Sequence, residues 1–497
     1  MKKINVDLIP HHKNPTPDYY CTWQTQLYAT CDGKPRGQRA AIGENALFHK
    51  EKPYGWAYFY EKAREDLFLV MDDSWDVPLM DDRSYYGSLL LNPEKFPKST
   101  ENAKNNAEAL QNLSQSIKAL GWKGLGGWVC AQESTRFVDN MSSEDYWKAR
   151  LKDAAESDFS YWKVDWGKKS SNLEFRKMLT ELATEIAPKL VIEHAVIKDI
   201  IPHTDVYRTY DVPAIMSIPM TMEKIAGLTD VSEIQEGCMG LVNCEDEAYI
   251  AAAGGFAMGI MRHPYHGAFV DGRADMSFPA LHRNLKTKMY EITRAARWHR
   301  IAPAFAFDTK NLLIDTQHLQ DTWCLQSIEE EIEAWWLNTP LIGDSLRDHI
   351  ITKTAPARIA RNCKLPEVQA DENGNTPYVI AAKNPVSGAF SVATLGRTMD
   401  RSYEIPKCDV LIEATDADTI GVFGEYESLI IENTHTDIRR ILMQDLADDH
   451  AYDVTDEITI RDHRIVIPGK LIHEIGTISQ PKEDTSEPGV IIRIETN

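Results

Sequence analysis

The chain is poor in the groupings that bind metals or phosphates. Its eight cysteines (Cys21, Cys31, Cys130, Cys238, Cys244, Cys324, Cys363 and Cys408) form no CxxC pair and no Cys/His cluster, which argues against a zinc site. Their wide spread suits reduced thiols in a cytosolic protein better than a disulfide framework. No apolar run is long enough to span a membrane, and residues 1–14 carry basic side chains without the apolar stretch of a secretory signal. A cytoplasmic location and no membrane partner are the expectation. Glycine-rich phosphate loops are missing. Positive charge is scarce as well: 54 Lys and Arg stand against 75 Asp and Glu, a formal balance of −21. That balance speaks against nucleic acid as a partner. Tryptophan, present twelve times, does not occur after Trp336.

What is present is an ordinary globular composition over 497 residues, 43% hydrophobic and 26% charged, enough for a large core without disulfides. The loss of tryptophan marks two architectures. The first alternates short apolar runs with helical patterns. Candidate strands are Tyr19–Trp23, Leu67–Met71, Gly124–Val129, Trp162–Asp165, Leu190–Ile192, Asp205–Tyr207, Gly240–Val242 and Phe256–Met261. Between Asn102 and Leu120, apolar Ala107, Leu110, Leu113, Ile117 and Leu120 recur at helical spacing. Glu174 to Ile186 repeats the pattern with Met178, Leu179, Leu182 and Ile186. Strand–helix alternation with eight strands predicts an α/β fold of the (β/α)8 barrel type over residues 1–345. Residues 346–497 read as a smaller antiparallel β-sandwich domain, with strands such as Tyr378–Ala382, Ala389–Leu395, Ser428–Ile431, Arg464–Ile467 and Val490–Ile494. Such a domain suits packing on the barrel and homo-oligomer formation.

The segment Tyr161-Trp162-Lys163-Val164-Asp165-Trp166-Gly167 carries the sharpest chemical signal. In a strand, Lys163 and Asp165 point to the same face. A buried sheet rarely accepts such a pair, whereas the open end of a barrel strand does. There the ammonium lowers the carboxyl pKa and keeps it ionised. The same residues also read as a structural ion pair.

Barrel function gathers at the C-terminal strand ends. Those ends supply Trp23; Asp72, Asp73 and Trp75; Trp128 and Glu133; Lys163 and Asp165; Glu193 and His194; Arg208 and Asp211; Asn243, Glu245, Asp246 and Glu247; and Arg262, His263 and Tyr265. Carboxylates and cations bind hydroxyls, and tryptophans offer platforms for sugar rings. Each has a plainer reading. Asp72-Asp73 also fits a turn or cap, the tryptophans also fit the core, and Glu245-Asp246-Glu247 also fits a solvated acidic cap. Asp72, Asp73 and Asp76 lack the spacing of a calcium loop. Neither a metal nor a cofactor is expected.

In their order, several motifs resemble those of the melibiase-type α-galactosidases, a clan of retaining glycosidases spanning families 27 and 36. These are Tyr20-Cys21-Thr22-Trp23, Val70-Met71-Asp72-Asp73-Ser74-Trp75, Lys95-Phe96-Pro97, Ala119-Leu120-Gly121-Trp122-Lys123-Gly124 and Lys163-Val164-Asp165. The resemblance covers most of the first 300 residues. It implies double displacement with Asp165 as nucleophile and Asp211 as acid/base. The Arg208–Asp211 spacing is one residue shorter than the family's, and Asp205 is the fallback acid. It further implies that Trp23, Asp72, Asp73, Trp75, Trp128, Lys163, Arg208 and Asp246 bind substrate, and that Glu193 lies near the sugar 2-position. Residues 263–279, rich in His, Gly and Asp, suit a lid.

The implied substrate is a small oligosaccharide or glycoside with a terminal α-galactosyl group. Related readings are a β-L-arabinopyranosidase, an α-N-acetylgalactosaminidase and a galactosyl transglycosylase. From other classes come an inactive carbohydrate-binding barrel and a barrel isomerase or lyase.

Overall fold

A computed structural model describes residues 1–28, 37–51, 54–80, 82–138, 141–209, 216–261, 288–324, 350–399, 402–435, 437–461 and 463–497. Eight strands form a closed barrel: β1 (Tyr19–Cys21), β2 (Phe68–Met71), β3 (Gly124–Val129), β4 (Phe159–Val164), β5 (Val191–His194), β6 (Val206–Arg208), β7 (Leu241–Glu245) and β8 (Ala257–Ile260). Every neighbouring pair is parallel, and β8 closes on β1 through Tyr19 opposite Gly259 and Tyr20 opposite Ile260.

Three of the helices around the barrel begin at a side-chain cap, and two of these form where the sequence periodicity places them. Asn105 accepts the Glu108 N–H ahead of Asn106–Lys118, Ser142 that of Asp145 ahead of Ser143–Ser157, and Asn172 that of Phe175 ahead of Leu173–Ile186. The first of these buries Ala107, Leu110, Leu113 and Ile117, as its spacing predicts. Small residues admit large ones in the barrel wall. A Cβ on Gly127 would lie 2.8 Å from the Trp75 indole nitrogen, and one on Gly259 would lie 2.6 Å from the Tyr19 ring.

Two strands run at least two residues further than expected. The fifth was predicted to stop at Ile192 and continues to His194; the seventh was predicted to stop at Val242 and continues to Glu245. Their polar ends resemble loop sequence, yet Glu193, Asn243 and Glu245 point into the barrel, where they meet partners. The plainer reading of 245–247 as a solvated acidic cap fails, because Glu245, Asp246 and Glu247 are all buried.

The second region is a β domain of two main sheets. The central strands of its nine-stranded sheet are buried on both faces, which is why they read as continuous apolar runs. Val379, Ala381, Phe390, Val392, Val490 and Ile492 face the five-stranded sheet. Alternate residues Tyr378, Ile380, Ala393, Phe423 and Ile491 join the barrel's core. Pairing is mostly antiparallel, with three parallel pairs, such as Ala360 beside Ala381. The proposed boundary near residue 345 falls outside the described residues. Strand Leu312–Ile314 already pairs with Arg358–Arg361, and N-terminal Lys2–Ile4 pairs with Ala451–Asp453. Helix Met289–Trp298 ties the two regions together: Arg294 Nε donates to Asp445 Oδ1 at 2.9 Å, both side chains being fully buried. No described helix is long and apolar enough to cross a membrane.

Candidate active site

Side-chain alternation on β4 builds the centre of the site. Trp162 and Val164 face the surrounding helices, whereas Tyr161 and Lys163 point into the barrel. The Asp165 amide donates to Val129 O at 3.0 Å, so the strand's pairing continues one residue beyond its end. Lys163 and Asp165 therefore do share a face.

The two oxygens of Asp165 have different surroundings. Oδ2 lies 2.8 Å from Arg208 Nη2 and 3.5 Å from Lys163 Nζ, and it accepts the Trp128 indole N–H at 3.2 Å. Oδ1 has no hydrogen-bond partner among the described residues. Burial alone would raise the Asp165 pKa. Arg208, then Lys163 and the Trp128 indole, outweigh it and hold the carboxyl below its ordinary value. The group is an ionised carboxylate with one uncommitted oxygen.

Asp72 and Asp73 form the tight turn after β2. Asp72 Oδ2 receives Lys163 Nζ and the Cys21 thiol, each at 2.7 Å, while its Oδ1 accepts the Asp73 amide at 2.8 Å. Asp73 Oδ1 accepts Ser74 Oγ at 2.7 Å, and Arg39 Nε stands 3.4 Å from Oδ2. Burial raises the Asp73 pKa, offset in part by Ser74 and Arg39. Arg39 carried no sequence signal. Beside Asp165, Tyr86 packs edge-on to both Trp128 and Trp166, and Trp166 is partly exposed.

Arg208 occupies the barrel axis and faces two more buried carboxylates, Glu193 Oε1 at 3.2 Å and Glu245 Oε2 at 3.0 Å. Glu193 also accepts from the Tyr19 and Tyr161 hydroxyls and from Asn243 Nδ2, at 3.1, 2.8 and 2.9 Å. Burial pushes its pKa up, against Arg208 and Lys163. Tyr19 and Tyr161 were missed as site residues, and Asn243 and Glu245, named among the strand-end candidates, were given no role. The same-face spacing that singles out Lys163 and Asp165 also holds for Asn243 and Glu245 and was the usable signal.

Other candidates lie elsewhere. Trp75 sits in the wall, not over the pocket: it is fully buried, packs on Phe159 and donates Nε1 to Trp128 O at 2.9 Å. Trp23 opens helix Trp23–Tyr28 and is partly buried above the barrel's interior cluster with Met261. Asp246, at φ 58°, uses Oδ1 to accept the Met261 amide at 2.7 Å and so ties the end of β7 to the residue just past β8. The fallback acid Asp205 is at the wrong end of the barrel. It precedes β6, where Oδ2 accepts the Ile192 amide at 2.9 Å, three residues and so roughly 10 Å below Arg208. His194 is enclosed in the wall between Arg176 and Thr180. Asp211, Arg262, His263, Tyr265 and the suggested lid at 263–279 lie outside the described residues. Among the described residues, no three His, Cys, Asp or Glu side chains converge as a metal site.

No protein-family model and no curated protein matches the chain. Among solved structures, an α-galactosidase from Geobacillus stearothermophilus aligns with 36% of this chain and 28% of its own, at 15% identity and a TM-score of 0.22. The alignment thus spans under a third of that relative's length. A candidate α-galactosidase/melibiase from Bacteroides fragilis aligns over 96% of this chain and 79% of its own, at 10% identity and a TM-score of 0.37. An α-L-arabinofuranosidase from Thermotoga maritima aligns over 99% and 98%, at 7% identity and a TM-score of 0.38. These structural neighbours are glycoside hydrolases by description; likenesses this low do not bear on what this chain does.

Proposed function

We propose that the protein is a retaining glycoside hydrolase acting on terminal α-galactosides. The observation that carries this reading is the asymmetry of Asp165. Arg208, Lys163 and Trp128 gather on one oxygen, and the other is bare among the described residues. A carboxylate so held is ionised, oriented and uncommitted, as a nucleophile at a sugar carbon must be.

The barrel interior supports it too. A barrel built for stability alone fills its core with branched aliphatic side chains. This one buries Asp72, Lys163, Asp165, Glu193, Arg208 and Glu245 together, and each buried ion costs several kcal/mol of desolvation before pairing offsets it. Such a cluster points to chemistry.

In this reading Asp165 Oδ1 attacks the anomeric carbon while the bond to the leaving oxygen breaks. Asp211 donates a proton to that oxygen. It then takes a proton from water, which attacks the same carbon and releases Asp165 as a carboxylate. Arg208 stabilises the anion that is regained. Asp72, Asp73 and Lys163 hold ring hydroxyls, and Trp23 and Trp128 border the sugar.

The test is hydrolysis of aryl α-galactoside, N-acetyl-α-galactosaminide, β-L-arabinopyranoside and α-glucoside by wild type and Asp165→Asn. Cleavage of the α-galactoside that falls about 10³-fold or more in the variant is expected. Sugar binding with no cleavage of any substrate would instead mark a binding protein, and an unimpaired variant would remove Asp165 from the chemistry.

A further inference from the structure

The three guanidinium nitrogens of Arg208 each lie against a different buried carboxylate: Nη1 donates a hydrogen bond to Glu245 at 3.0 Å, while Nη2 beside Asp165 and Nε beside Glu193 make ion-pair contacts at 2.8 and 3.2 Å. A guanidinium is planar and its N–H groups diverge in a fixed fork. Holding two of its edges sets the direction of the third. Glu193 and Glu245 come from β5 and β7, the strands flanking β6, which carries Arg208. Both are fully buried.

Glu193 is itself fixed. The hydroxyls of Tyr19 and Tyr161, the Asn243 amide and the Arg208 guanidinium surround its two oxygens. Three hydrogen bonds and one ion pair thus commit both of its oxygens. The four come from four other barrel strands: β1, β4, β6 and β7. The arrangement is a brace across the barrel, ending at the oxygen of Asp165 that does not react.

We propose that Glu193 and Glu245 are positioning residues that aim Arg208 at Oδ2 of Asp165 and thereby leave Oδ1 as the attacking atom. This deepens, and rests on, the reading of Asp165 as nucleophile. It differs from the role that the family resemblance implies for Glu193, a contact near the sugar 2-position. The two roles separate experimentally.

Glu193→Gln and Glu245→Gln keep shape and remove charge. Two measurements are made on each. The first is kcat and KM on the preferred aryl glycoside and on its 2-deoxy analogue. The second needs no substrate: a pH titration of the Asp165 carboxyl by carbon NMR of aspartate-labelled protein, assigned with Asp165→Asn. Removing either anion leaves more of the Arg208 charge to Asp165. Its titration is therefore expected to move to lower pH, with kcat down about tenfold and KM within about twofold on both substrates. If Glu193→Gln instead raises KM alone, and only on the substrate bearing a 2-hydroxyl, Glu193 is a sugar ligand and the proposal falls. It falls equally if neither folded variant moves the Asp165 titration. Should Glu193→Gln fail to fold, Glu245→Gln decides by the same criteria. A shifted titration in a protein that cleaves no glycoside would overturn the hydrolase reading and leave the brace standing.

Discussion

Lys163 lies closer to Asp72 than to Asp165, at 2.7 Å against 3.5 Å. The residue two positions away in sequence is thus the weaker partner, and the stronger one follows β2, two strands along the barrel from β4. The cation in close contact with Asp165 is Arg208. Burial, the largest single influence, lowers the Lys163 pKa, but Asp72 together with Cys21 and Asp165 outweighs it, so the ammonium stays charged. Lys163 is an anchor for the Asp72 turn first and a neighbour of the nucleophile second.

Double-mutant cycles test that ranking. Lys163→Met should destabilise the protein by about 3–5 kcal/mol, because it leaves a buried carboxylate without its cation. Combined with Asp72→Asn, the two costs should be strongly non-additive; combined with Asp165→Asn, much less so. Urea unfolding of the five variants measures both couplings. A larger coupling to Asp165 would refute the assignment.

Asp76 supplies a pH prediction of opposite sign to the usual carboxylate. Burial pushes it up to about 7, against the Leu89 amide, which Oδ2 accepts at 3.1 Å. Unfolded, it loses its proton near 3.8. Its contribution to stability is therefore whole below that value and is lost as pH rises towards about 7, with no further change above. Asp76→Asn removes this dependence. The difference in unfolding free energy between wild type and variant should change by up to roughly 1.4 kcal/mol per pH unit between about pH 4.5 and 7. A difference that stays flat over that range would show Asp76 to be ionised in the native protein.

The sequence carries the barrel clearly because its helices and strands obey simple periods. Ala107, Leu110, Leu113 and Ile117 are buried as spaced. It carries the site less evenly. Lys163 and Asp165 stand out because charge on one strand face is unusual. Asn243 and Glu245 obey the same rule but were read as loop, since a polar strand end and a turn have similar composition. Asp205 was misplaced for a different reason: a carboxylate that begins a parallel strand lies at the far end of the barrel from one that ends it. The pairing of Lys2–Ile4 with Ala451–Asp453 joins opposite ends of the chain, and three exposed or half-exposed residues give no periodic signal.

Trp75 and Trp128 separate structural from chemical tryptophan. Each donates one indole N–H, Trp75 to Trp128 O at 2.9 Å and Trp128 to Asp165 Oδ2 at 3.2 Å. Replacing either with Phe keeps a ring and deletes the donor. Trp75→Phe leaves a buried carbonyl short of its partner and opens space beside Phe159, at a cost of about 1–3 kcal/mol. KM should be unchanged, because the ring is enclosed in the wall. Trp128→Phe removes one of the groups that hold the Asp165 pKa down. Its acid limb of kcat/KM should therefore move to higher pH, with activity lost first at low pH. Thermal unfolding and a pH–rate profile of both variants check the pair. A raised KM at unchanged stability in Trp75→Phe would return that ring to the substrate, and an unmoved acid limb in Trp128→Phe would show that the indole does not act on the nucleophile.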